Sequence, residues 1–309
     1  MLPRLLYLAG MGVGVVSLLG LLGGSYWAFD LMSHFRLQYL VLLILASLSL
    51  LALKHKRQAG VVASFGVFNL LLIAPLFLGS GTKEAHAAEA TSIRAMSINL
   101  LSKNKQAEAV RQAVHDAQPQ IVVFQEVNSW WQAQLEKDLA VDYPYIETRP
   151  REDNFGISIF SKLPWSAFEV IDLGGKIPSL LTTFDNSGNP FHVLAVHFVP
   201  PSRRALARRR DESFERLPMA IADLPHDTLV IGDLNATPWC FPFRRLLVES
   251  ELKDSSVGFG LQPTWPTFLK WMAIPIDHCL HTPGIRIVNR EVGAEVGSDH
   301  WPLLVDFQL

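Results

Sequence analysis

Residues 229–235 read Leu-Val-Ile-Gly-Asp-Leu-Asn, an apolar run that stops on a carboxylate and then an amide. A short run of apolar and β-branched residues closed by glycine reads as a buried strand. An ionisable group at the mouth of such a strand loses hydration, so it must be paired or bound to a metal. Asp and Asn also turn the chain well, and one such ending says little. The pattern recurs, however. Residues 96–99 stop on Asn99, residues 122–126 on Glu126, residues 194–197 on His197 and residues 275–277 on Asp277, while Ser298-Asp299-His300 precedes the last apolar run. Repetition of this kind in one domain points to strand ends that converge. The shared cleft would hold Asn99, Glu126, His197, Asp233, Asn235, Asp277, Asp299 and His300.

Working outward, the hydrophobic period predicts strands at 93–99, 121–125, 157–160, 168–173, 180–184, 191–197, 228–232, 274–280 and 303–308. Helices are expected at 105–117, 129–139, 203–224 and 243–249. Strands interleaved with helices, yet joined by several hairpin-length turns, predict an α/β fold with two mixed β-sheets covered by helices.

The first third of the chain differs from the rest. Residues 1–91 carry six Lys/Arg and three Asp/Glu, against 21 and 26 in residues 92–309. Three apolar stretches, at 5–24, 37–53 and 59–79, contain no charge. A helix crossing about 30 Å of hydrocarbon needs about 20 residues. The expectation is three transmembrane helices in residues 1–81, a polar, alanine-rich linker at 82–91, and a soluble domain at 92–309. Lys54, Lys56 and Arg57 lie between the second and third stretches, and positive loops stay cytoplasmic. The soluble domain would then face away from the cytoplasm, periplasmic beyond a bacterial inner membrane.

Composition also excludes. Two cysteines are too few for a disulfide framework or a thiolate zinc site. The acidic balance of residues 92–309 disfavours sequence-blind nucleic-acid binding, which needs Lys and Arg on phosphates. No HExxH, GxSxG, GxxxxGK or helix-opening GxGxxG is present. The cleft inventory is rich in oxygen donors and lacks thiolates, a set that suits Mg²⁺ or Mn²⁺.

The ordered set Ser97-Ile98-Asn99, Gln125-Glu126-Val127, Ile159-Phe160-Ser161-Lys162-Leu163-Pro164, Val196-His197, Gly232-Asp233-Leu234-Asn235, Ile276-Asp277-His278 and Ser298-Asp299-His300 resembles the endonuclease/exonuclease/phosphatase (DNase I-like) superfamily. Residues 262–266, Gln-Pro-Thr-Trp-Pro, and the three-stretch leader resemble its membrane-anchored bacterial branch. The resemblance implies a four-layer α/β sandwich and metal-dependent hydrolysis of a phosphoester. It assigns Asn99, Glu126 and Asp299 to a Mg²⁺ or Mn²⁺ ion, and Asp233 and Asn235 to the attacking water. His300, oriented by Asp277, would stabilise phosphate charge, and His197 would contact a phosphate or leaving oxygen. Leu100-Leu101 stands where some relatives carry a further acid, and the mid-chain acid that pairs with the first His is not identifiable among Glu147, Glu152 and Asp153.

Asn154, Trp239 and Arg203 are weaker candidates for substrate contact. The partners implied are a phosphoester substrate (nucleic acid, phospholipid or small phosphate) and the lipid bilayer, with no protein partner. The alternative is a catalytically silent, membrane-tethered binding protein. Cys240 and Cys279 read better as separate buried thiols than as a bridge.

Overall fold

The computed structural model describes residues 1–79, 92–185 and 188–309. The expected linker at 82–91 lies outside the described residues. Residues 2–76 form α1 (Leu2–Leu19, continued by a 3-10 turn to Leu22), α2 (Trp27–Leu31), α3 (Arg36–Ala52) and α4 (Lys56–Ile73, continued to Leu76). Among the described residues two helices, Leu2–Leu22 and Lys56–Leu76, are long and apolar enough to cross a membrane, rather than the three expected. The middle stretch forms α3, with 17 residues. At 1.5 Å per residue it is about 26 Å long, short of the hydrocarbon thickness. Its first residue, Arg36, turns into the bundle, donating to Ser17 O at 2.6 Å and Asn69 Oδ1 at 3.4 Å. Gly10 and Gly14 are buried on α1, and a Cβ at either would run into Val62 or Phe65 of α4. Their spacing therefore serves close helix approach.

The rest of the chain adds β1 (Ile93–Asn99), α5 (Ala107–Ala117), β2 (Ile121–Gln125), α6 (Ser129–Leu139), β3 (Tyr145–Arg149), β4 (Ile157–Ser161), β5 (Trp165–Asp172), β6 (Pro178–Phe184), β7 (Phe191–His197), α7 (Arg204–Ala222), β8 (Asp227–Asp233), α8 (Phe241–Glu249), β9 (Lys253–Asp254), β10 (Asp277–His281), β11 (Arg286–Val292) and β12 (Leu303–Gln308). Two six-stranded mixed sheets result, in the orders β11-β12-β1-β2-β4-β3 and β5-β6-β7-β8-β10-β9. Ala95, Val123, Val193, Ile231 and Val305 fill the space between the sheets. The outer face of the first sheet buries Val110, Trp131 and Leu135 of α5 and α6, and that of the second buries Phe214, Leu217 and Phe243 of α7 and α8. The arrangement is a four-layer α/β sandwich.

Register places the polar endings together. β7 and β8 run parallel with His197 beside Asp233, and antiparallel β10 sets Asp277 on the other side of Asp233. In the first sheet parallel β1 and β2 set Asn99 beside Gln125, one residue before Glu126. Period-two alternation puts Asn99, His197, Asp233 and Asp277 on the same inward faces as Ala95, Val193, Ile231 and Cys279. They cap one end of the intersheet core. Cys240 packs on the opposite face of the second sheet from Cys279, and both thiols are free and buried.

The helices are bound to the sandwich by polar contacts. Arg210 of α7, buried, donates to Asp30 Oδ2 at 2.7 Å, and Asp30 Oδ1 accepts from the Phe241 backbone N–H at 2.7 Å. Trp239 Nε1 donates to Leu72 O, and Gly258 and Gly260 donate to Leu76 O.

Candidate active site

Asp233 is the hub of the cleft. Its Oδ2 accepts from Asn99 Nδ2 at 3.1 Å and lies 3.7 Å from His197 Nε2 and 3.9 Å from His300 Nε2. Its Oδ1 accepts from the Asn235 backbone N–H at 2.8 Å. His300 Nδ1 faces Asp277 Oδ2 at 2.9 Å, so an acid–imidazole–acid chain runs Asp277, His300, Asp233. Ser298 Oγ donates to Asn99 O and accepts from His300 N, tying the last loop to β1. Gly232 makes the approach of β7 possible: a Cβ there would lie 1.9 Å from Val196 O. Glu126 and Asn235 hold left-handed φ values of 59° and 48°, a conformation uncommon outside glycine and one that clusters at functional sites.

Asn99, His197, Asp233, Asp277 and His300 are all but sealed from water. Burial, with the Asp277 charge behind it, pushes the Asp233 carboxyl up to about 8. Burial alone would lower His300, but the Asp277 charge and hydrogen bond, with Asp233 and Asp299 beyond, raise it to about 9. The reciprocal attraction of His300 overcomes burial at Asp277 and lowers its carboxyl. His197, buried and beside His300, falls to about 4 and is neutral at ordinary pH.

Glu126 Oε2 accepts from Ser102 N at 2.9 Å and Ser102 Oγ at 3.1 Å. Asp299 Oδ2 accepts from Trp265 Nε1 at 3.1 Å, while its Oδ1 is buried without a partner among the described residues. Asp233, Asp277 and His300 each bring one ligand-type atom within 4.8 Å of the others. The orphaned Asp299 oxygen and the Glu126 carboxylate are donors of the kind a divalent cation takes. Their hard oxygen character suits that charge class. In the Asp277–His300 pair the imidazole already faces a carboxylate, an arrangement suited to holding a proton.

The weaker candidates are placed differently from one another. Asn154 occupies an exposed turn with φ 68°; its neighbour Phe155 lies against the His197 ring at 5.3 Å between centroids. Trp239 turns away, onto Ile73 and Leu76 of the helical bundle. Arg203 precedes α7 with its side chain exposed. The three mid-chain acids are engaged elsewhere, Glu147 with Arg149, Glu152 with Ser129 and Asp153 with Arg151, and His197 Nδ1 is buried without a partner. Sequence reasoning assigned no role to Ser102, nor to Thr264, whose Oγ1 accepts from the Asp277 N–H. A serine just past Asn99 and a threonine in the 262–266 stretch were the available signals.

The sequence profile of the Endonuclease/Exonuclease/phosphatase family matches residues 96–300, from β1 to the His300 loop. The chain belongs to that family. No curated protein matches it. Among solved structures, this endonuclease/exonuclease/phosphatase family member is similar to D. rerio TDP2 complexed with single strand DNA product, with 16% identity, a TM-score of 0.60, and coverage of 71% of this chain and 100% of that one. A Bacteroides vulgatus family member matches with 20% identity and a TM-score of 0.58, covering 71% and 99% of the two chains. Staphylococcus aureus beta toxin matches with 16% identity and a TM-score of 0.52, covering 69% and 99%. At these identities the likeness is one of fold.

Proposed function

We propose that the protein is a membrane-anchored hydrolase of phosphoester bonds that works with a divalent metal ion. The observation that carries this reading is the buried Asp233 hub, with an imidazole on two sides and an acid behind one of them. Asp233, whose carboxyl titrates near neutrality, aligns the attacking water and takes its proton. Asn235, fixed by its backbone bond to Asp233, holds the same water or a phosphate oxygen. His300, kept charged by Asp277, meets the charge that builds on the phosphoryl oxygens. His197 stays neutral and contacts a phosphate or leaving oxygen. Asn99, Glu126 and Asp299 would hold Mg²⁺ or Mn²⁺, which when bound neutralises charge in the transition state.

The outward faces of the helices support anchoring. Leu5, Leu8 and Val15 on α1, Leu42, Leu45 and Leu48 on α3, and Val67, Leu70 and Leu71 on α4 are exposed. An apolar surface of that extent marks a membrane or a partner. The Lys54–Arg57 turn joins the ends of α3 and α4 remote from the sandwich, so the positive-inside rule favours an extracytoplasmic catalytic domain, periplasmic beyond a bacterial inner membrane.

A nucleic-acid substrate is the second reading, favoured by the single-strand DNA product bound to D. rerio TDP2. The excess of 26 acidic over 21 basic residues in 92–309 weighs against it. The test uses the full-length protein in detergent with bis(p-nitrophenyl) phosphate and p-nitrophenyl phosphate. Hydrolysis that requires Mg²⁺ or Mn²⁺, and drops at least about 100-fold in His300→Ala, is expected. Equal turnover in His300→Ala and wild type would remove the mechanism.

A further inference from the structure

A cavity of about 390 Å³ lies between the α2–α3 connection and the catalytic loops. Leu31 and Phe35 form one wall; Pro201, Trp265, Ile274 and Ile276 form much of the other. It adjoins the phosphoester cleft directly. Asn235 lines both, Trp265 donates to Asp299 on the cleft side, and Ile276 precedes Asp277. No acidic, Lys or Arg residue lines this cavity. A nucleic-acid strand, which needs cationic contacts, has nothing to hold there, and water gains little from apolar walls. The volume is at the small end of the roughly 300–1,000 Å³ of ligand pockets, room for one slender apolar group. His34 also lines it, 5% exposed, with neither ring nitrogen hydrogen-bonded among the described residues. An ester carbonyl or a hydroxyl at the head of an apolar chain is the group that would satisfy that imidazole.

The surroundings name the source of such a chain. The turn Thr267–Met272 projects Phe268 and Trp271, 75% and 73% exposed. Gln38 of α3 holds this turn by donating to Trp271 O and Ala273 O. Exposed aromatic rings thus stand where the apolar faces of the helices begin, the level at which a bilayer interface favours them. The cavity, the cleft and the bilayer level follow one another along α2 and the start of α3.

We propose that this cavity holds the acyl chain of a phosphoester lipid drawn from the bilayer, with the lipid phosphate in the Asp233–His300 cleft. The proposal rests on the phosphoesterase reading and narrows its substrate to a lipid. Each methylene removed from water is worth roughly fourfold in binding, so the chain rather than the head would dominate recognition.

The test uses full-length protein in vesicles of phosphatidylethanolamine and phosphatidylglycerol, with a phosphatidylglycerol that carries a photoactivatable diazirine on its acyl chain. Crosslinks mapped by mass spectrometry to residues 31–35 and 274–276 are expected, and Leu31→Trp, which fills the cavity, should abolish them. In the same vesicles Leu31→Trp should lower lipid hydrolysis by more than about tenfold. Its hydrolysis of bis(p-nitrophenyl) phosphate in detergent should match wild type, which also reports that the variant folds. Phe35→Ala, which enlarges the cavity, should shift preference towards bulkier chains. Crosslinks confined to the outward faces of α1, α3 and α4 would overturn the proposal, as would water-soluble glycerophosphoglycerol hydrolysed as fast as the lipid. Crosslinks at 31–35 with no hydrolysis of any phosphoester would uphold the acyl site and sink the phosphoesterase reading instead.

Discussion

Asp233 keeps a carboxyl in a place where ionisation is expensive, and that expense is readable as stability. Its folded-state value of about 8 stands well above the ordinary range near 4. Between those values the folded protein binds a proton that the unfolded chain has released, so stability falls as pH rises. His300, raised to about 9, acts in the same direction between its ordinary value near 6.5 and 9, its stabilisation being lost as pH climbs through that window. Without divalent ions the thermal midpoint of wild type should therefore fall from pH 5 to pH 8. Asp233→Asn mimics the protonated acid; it should lie roughly 2–4 °C or more above wild type at pH 8, the shift 1 kcal/mol gives in a domain of this size, while losing turnover. A midpoint for the Asn variant below wild type at pH 8 would contradict the burial argument. The same residues predict the response to metal. Saturating Mn²⁺ should raise the wild-type midpoint, since a ligand at 100 times its Kd adds about 2.7 kcal/mol. Glu126→Gln and Asp299→Asn should each lose most of that rise in differential scanning fluorimetry, because Glu126 and the orphaned Asp299 oxygen are the donors proposed to be waiting for it.

At the scale of elements, legibility followed burial. The strands β1, β2, β7 and β12 begin and end where the apolar pattern places them, because β2 and β7 are buried along their whole length and β1 and β12 along most of theirs. The strands β3, β9 and β11 were not foreseen. β3 and β11 are the two edges of the first sheet and β9 is an edge of the second; β3 is half-buried throughout, β9 is two residues long, and β11 buries only Ile287 and Arg290, so none carries an apolar run to announce it. Pro275, which has no N–H to donate, confines β10 to Asp277–His281, and Ile274 keeps only an isolated bridge to Trp265. The polar endings themselves were legible, because burial of Asp or His at a strand mouth is costly and so informative. Their supports were not: Ser102, Thr264 and Ser298 act through hydroxyls that have no period. Arg210 was hidden for a different reason. It sits in an arginine-rich run offset by acids, and only the partner 180 residues away shows that it is buried. The α2–α7 junction made by Asp30 and Arg210 should accordingly be strong but brittle. Asp30→Ala leaves a buried guanidinium with only half-exposed Asp211 beside it, at a cost of about 3 kcal/mol. Asp30→Ala combined with Arg210→Met should recover most of that loss in chemical denaturation; a double variant as unstable as the single would show that the charge was not the cause.

For the molecule as a whole, the proposed anchoring makes the decisive question which side of a bilayer holds the cleft. Among the described residues, the hydrogen bonds between bundle and sandwich named above use one end of the helices: Asp30 on α2, Gln38 at the start of α3, Leu72 near the end of α4, and Leu76 just beyond it. The turn carrying Lys54, Lys56 and Arg57 therefore lies about one helix length away, the cationic end of an apolar bundle. The two native thiols are buried, so a new exposed cysteine can be labelled against a quiet background. Val141, after α6, is 93% exposed and takes no part in the core. With the protein in spheroplasts, Val141→Cys should react with a membrane-impermeant maleimide before lysis, whereas Lys54→Cys should react only after the membrane is opened. Thiol exchange at Val141 changes neither charge nor burial, so a failure to label it in intact spheroplasts reports topology rather than misfolding, provided that lysis restores labelling. The reverse pattern would put the cleft on the cytoplasmic side, where the lipid substrate proposed above would come from the inner leaflet and the charge asymmetry of the bundle would have been misread.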